Sequence, residues 1–85
     1  MQINYDLVCV HWLDAQSSCD WKDIEDRGDQ QLALCISVGY LVFRSEESIT
    51  LATDFASSDR STIDQFGNSI SIPQDCIEKI IEIEY

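Results

Sequence analysis

The chain has 85 residues, of which sixteen are acidic and five basic, for a net charge of −11, with 45% hydrophobic and 25% charged side chains. A surface this negative repels phosphate backbones and anionic membranes, since binding to either depends on Lys and Arg neutralising their charge, so nucleic acid and membrane are excluded as direct partners. The apolar content is that of a folded protein and not of an acidic tail, and the length allows one core that buries about 60–65% of the surface an unfolded chain would expose.

A single domain over residues 1–85 is therefore expected. Met1 to Asp6 lacks the basic start and apolar run of a signal peptide, and no window approaches a membrane span. Cytosolic thiols are expected for Cys9, Cys19, Cys35 and Cys76, with Cys9 and Cys35, inside apolar runs, acting as small buried hydrophobes.

Tyr5 to Leu13 is rich in β-branched and aromatic residues and predicts a first strand ending at Asp14. A long acidic connection follows, at about 14–31, with one helical turn that Asp20 can cap and Gly28 can stop. Leu32 to Arg44 predicts a long second strand. Alternation puts Leu32, Leu34, Ile36, Val38, Tyr40 and Val42 on one face and Ala33, Cys35, Ser37, Gly39, Leu41 and Phe43 on the other. Gly39 marks a bend at which one strand serves two halves of a barrel. Ser45 to Ser48 predicts a hairpin turn into a third strand, Ile49 to Ala52.

Residues 53–68 are polar and without period, and predict a second long loop. Ser69 to Ile72 alternates as a fourth strand and stops at Pro73, which opens a turn or one turn of tight helix up to Cys76. Ile77 to Tyr85 forms the last element. Glu82 and Glu84 alternating with Ile81, Ile83 and Tyr85 favour a strand, whereas Ile77, Ile80, Ile81 and Glu84 also fit a helical spacing. The expected fold class is all-β with one short helical turn, a small five-stranded bent barrel of the SH3 or Sm type; the alternative is α+β with a C-terminal helix.

The residues Trp12-Leu13-Asp14-Ala15, Trp21, Ser37 to Val42, Ile49 to Ala52, Ile72-Pro73, Cys76-Ile77 and Ile80 resemble small accessory proteins of bacteriophage genomes, over about Val8 to Ile83. The resemblance implies a phage origin, an accessory role and residence in the host cytoplasm. It carries over no site residue.

Catalytic and metal signatures are weak. His11, the lone histidine, lies near Cys19 and several serines, yet no nucleophile elbow or glycine-rich oxyanion loop accompanies it. The cysteines lack the close pairs of a zinc site, and Asp20, Asp23, Glu25, Asp26 and Asp29 miss the EF-hand register. No cofactor and no enzymatic activity are expected. The candidate binding residues are Trp12 and Trp21, whose indoles can line a pocket, the scarce cations Arg44 and Arg60, and the carboxylates Asp14, Asp23, Glu82 and Glu84. On a strand, Glu82 and Glu84 stand on one side, ~6.7 Å apart, a spacing that imitates successive phosphates.

Two functions follow. In the first, the acidic surface binds and inhibits a host protein with a basic surface, as a counter-defence factor does. In the second, a homo-oligomer sequesters a nucleotide-derived host signal in pockets built from Trp12, Trp21, Arg44 and Arg60. The question left to the fold is whether Asp14 to Asp29 and Glu78 to Glu84 meet on one face. If they do, the charge is a binding surface; if they scatter, it serves solubility.

Overall fold

The computed structural model describes residues 2–14 and 33–84. They form five strands, β1 (Leu7–Asp14), β2 (Ala33–Arg44), β3 (Ser48–Ala56), β4 (Gln65–Pro73) and β5 (Ile77–Glu82), with one 3-10 turn, Gln74–Cys76, before β5. All pairings are antiparallel in one sheet of order β4-β3-β2-β1-β5. The fold is all-β with a short turn, as expected from the sequence. The connection at about 14–31, and the helical turn expected in it, lie outside the described residues apart from Asp14.

The sheet curls upon itself. Val8 and Val10 of β1, Ile49 and Leu51 of β3 and Ile72 of β4 form one buried cluster, although β1 and β4 are not neighbours in the sheet. Trp12, Leu41, Cys76, Ile77 and Ile80 close around it. Burying these side chains is the main source of stability in so small a domain.

β2 is the hinge of this curl. Its first half, Ala33 to Tyr40, pairs with β1, and its last residues, Tyr40 to Arg44, pair with β3, with a register shift between Leu41 and Phe43. Gly39 sits at the exchange. A Cβ there would lie 3.2 Å from both Ala52 O and Leu51 Cβ, tighter than ordinary contact, so the close approach of β2 to β3 favours glycine for its missing side chain. The inner face of β2 is lined by its smaller residues. Val8 opposes Gly39, Val10 opposes Ser37 and Trp12 opposes Cys35, so the small residues of β2 turn inward and Leu34, Ile36 and Val38 turn out.

Three expectations are corrected. The C-terminal helix of the α+β alternative is replaced by β5, and a bulge accounts for the helical spacing. His11 opposes Lys79 while Trp12 opposes Ile77, leaving Glu78 unpaired between them, so Ile77 and Ile80 both face inward three residues apart. The long loop at 53–68 contracts to 57–64, because β3 runs on to Ala56 and β4 starts at Gln65 in unbroken register. This outer hairpin arm is polar because it reaches past the core and is wet on both faces, apart from Phe55. The ring of Phe55 stacks on Tyr5 at 5.9 Å and meets Tyr40 edge-on at 5.4 Å. Finally, Cys9 and Cys35 are half-buried free thiols and not core residues. Cys9 faces outward between Val38 and Ile81, and Cys35 lies beside Trp12 away from the buried cluster.

The two turns follow the sequence closely. The Ser45 N–H donates to Ser48 O at 2.8 Å, and its hydroxyl accepts from the N–H of Glu47 and Ser48 at 3.2 and 3.1 Å. Pro73 ends β4 opposite Ser48, after which the Gln74 N–H donates to Glu47 O at 2.9 Å. That bond swings the chain into the 3-10 turn and delivers Ile77 to β1.

Candidate functional site

The candidate residues occupy separate parts of the sheet. Trp12 is half-buried against the core, and its indole N–H donates to Ser37 Oγ at 3.0 Å, so its polar edge is already engaged. Asp14 is exposed at the last pair of β1, opposite Ala33. Arg44 is exposed at the end of β2, opposite Ile49. Arg60 projects from the tip of the β3–β4 hairpin in the left-handed region, φ 65°. Trp21 and Asp23 lie outside the described residues. Within one protomer Trp12, Arg44 and Arg60 therefore line no common pocket.

The hairpin tip is ordered by Asp59. Its Oδ1 accepts from the N–H of Thr62 and of Ser61, each at 2.9 Å, and from the Ser57 hydroxyl at 3.0 Å. The Thr62 hydroxyl donates to Oδ2 at 3.1 Å, and Ser58 donates to Asp64 across the loop. Donation first from the Thr62 N–H and then from the Ser61 N–H holds the Asp59 carboxyl well below the usual carboxylate range. This carboxylate anchors the turn that carries Arg60.

The acidic residues divide between the ends of the sheet. Asp14 closes one end of β1, whereas Glu82 opposes Val8 at the other, so these members of the two acidic sets do not meet. Glu46 and Glu47 lie in the β2–β3 turn, and Asp54, Asp59 and Asp64 along the outer hairpin. At the Val8 end, however, the chain assembles a local cluster. The Ile83 N–H donates to Leu7 O at 2.9 Å, and Asp6 O accepts from the Leu41 N–H at 2.8 Å. These bonds bring Asp6 beside Glu82 and Glu84 around a shallow depression whose walls also include Tyr5, Leu7 and Ile83.

Glu82 and Glu84 were legible as candidates; Asp6 and Tyr5 were not. They lie more than seventy residues away in sequence from the glutamates they join, and no local spacing signals that the first and last strands pair. The depression is lined by three acidic residues and a tyrosine, a combination of residue types suited to the ammonium or guanidinium of a partner side chain.

Among the described residues, no group of three His, Cys, Asp or Glu is placed to hold a metal ion, and no helix is long and apolar enough to cross a membrane. No protein-family model, curated protein or solved structure matches the chain.

Proposed function

We propose that this chain is a non-catalytic accessory protein of phage type, which acts in the host cytoplasm by binding a host protein and blocking its basic surface. The observation that carries the reading is the convergence of Asp6, Glu82 and Glu84 around Tyr5 and Ile83 at one end of the sheet. The acidic face of the sequence reading is thereby narrowed to this end, and the remaining described carboxylates, spread over turns and hairpin, serve solubility. A basic side chain of the partner enters the depression, with its stem on Tyr5 and Ile83 and its charge on the carboxylates. The surrounding negative field speeds the encounter.

The test is affinity capture from bacterial lysate, using the wild-type chain and the charge-neutralised variant Asp6→Asn/Glu82→Gln/Glu84→Gln. A host protein retained by the wild type, released by moderate salt and absent from the variant is the expected result. Retention that is indifferent to salt, or equal for the variant, overturns the proposal.

A further inference from the structure

We infer that the outer face of the β5-β1-β2 part of the sheet is the docking surface for a second copy of this chain, forming a two-fold symmetric dimer by sheet-on-sheet packing. Residues paired across antiparallel strands share a face. The rows of this face are Ile81–Cys9–Val38, Lys79–His11–Ile36 and Leu13–Leu34, continued by Leu7–Tyr40 with Ile83 alongside. Ile36 is 60% exposed, Leu34 56%, Val38 52% and Ile81 44%. Four large aliphatic side chains thus lie open on one surface, three of them on β2 with that strand's smaller residues on the opposite, inner face.

Area and charge both select a second copy. These side chains, extended by half-buried Leu7, Leu13 and Ile83, present on the order of 400 Å² of apolar surface, within the range of patches that mark interaction sites. A standard interface of about 800 Å² per partner is a little over half apolar, so this face supplies the apolar share of one. Two copies at −11 each repel strongly wherever carboxylates face one another. The rows of this face hold no carboxylate; their ionisable side chains are Lys79, His11, Cys9 and Tyr40. Glu78, displaced by the bulge, stands next to Lys79. A two-fold axis through Ile36 lays aliphatics on aliphatics. A symmetric patch satisfies itself in this way without a second kind of surface.

Leu7 and Ile83 border both this face and the acidic depression, and salt separates the two proposals. Screening strengthens an apolar dimer of two anionic copies and weakens capture of a basic partner. The experiment is sedimentation velocity on the full chain from micromolar to submillimolar concentration at low and high salt, for the wild type, Ile36→Lys and Phe66→Lys. Expected are a wild-type species of twice 9.7 kDa favoured by salt, an Ile36→Lys chain associating at least tenfold more weakly, and an unchanged dimer for Phe66→Lys. Phe66→Lys makes the same change in net charge away from this face, so a loss confined to Ile36→Lys reports on the face and not on total charge. Should that variant misfold by circular dichroism, alkylation of Cys9 in the wild type decides: the dimer slows it as concentration rises. A 9.7 kDa wild type at every concentration, a dimer untouched by Ile36→Lys, or Cys9 alkylation independent of concentration overturns the proposal. Each of those results would mean that this face is left open or is covered by something other than a second copy.

Discussion

The Trp12 indole N–H donates to the Ser37 hydroxyl, 3.0 Å away, tying β1 to β2 on the inner side of the sheet. The bond satisfies the one polar atom of a large side chain packed against the core, and it employs one of the small residues that line the inner face of β2. Trp12→Phe and Ser37→Ala are each expected to destabilise by about 1–2 kcal/mol. In a double-mutant cycle by urea unfolding the pair should couple by about 0.5–1.5 kcal/mol. Additive single effects would show that the bond contributes nothing of its own.

Gly39 is a second point at which one atom matters. Adding a Cβ forces Leu51 or the Ala52 carbonyl to retreat from 3.2 Å contacts at the centre of the fold. Gly39→Ala should cost about 1–3 kcal/mol in chemical denaturation, and Gly39→Val more, despite the higher strand propensity of valine. A Gly39→Val chain as stable as the wild type would contradict the close crossing.

The Asp59 turn predicts a pH dependence of known sign. Its carboxyl titrates below the usual carboxylate range in the folded chain, so the turn is fully anchored above that range and loses its anchor as acid protonates the group. Carboxyl-detected NMR titration should place Asp59 below the ordinary aspartate value. At neutral pH, Asp59→Ala should loosen the hairpin tip and speed tryptic cleavage after Arg60 by several-fold, with the global unfolding midpoint little changed. Equal cleavage rates would show that the carboxylate does not order the loop.

Net charge predicts the response to salt. Sixteen acids against five bases make repulsion the dominant electrostatic contribution, so added neutral salt should raise stability by about 1 kcal/mol, or about 4–8 °C in Tm for a domain of this size. A fall in Tm would require the few cations to be held in ion pairs of unusual worth.

The parts of the fold legible in the sequence are those written by local chemistry. The Ser45 to Ser48 turn, the stop at Pro73 with its 3-10 turn, and the partner exchange of β2 near Gly39 each follow from residue types at the spot. The parts that were hidden depend on distant neighbours. Thr53 to Ala56 and Gln65 to Asn68 carry no alternation because both faces of that arm are solvated. The β5 spacing imitated a helix because its bulge is imposed by β1. Alternation separated the two faces of β2 correctly as far as Leu41, but the register shift before Phe43 turns that residue to the exposed side, against the expectation; up to that point the bulky face points outward, although hydrophobicity alone would send it inward. The site was half legible for a similar reason: Glu82 and Glu84 stand in a readable pattern, whereas Asp6 joins them only through the pairing of the first and last strands.

That pairing also orders the folding reaction. The β2–β3 and β3–β4 hairpins close short loops, while the β1–β5 ladder joins Val8 to Glu82 and spans nearly the whole chain. Loop-closure entropy makes such long-range contacts the last to form and the first to open. The β2-β3-β4 meander is thus expected to form first and to hold the slowest-exchanging amide protons in native-state hydrogen exchange, with β5 a strap expected to dock late. Each opening of that strap unpairs the outer edge of β1 and disperses Asp6, Glu82 and Glu84, so the acidic depression lasts only as long as the β1–β5 ladder is closed.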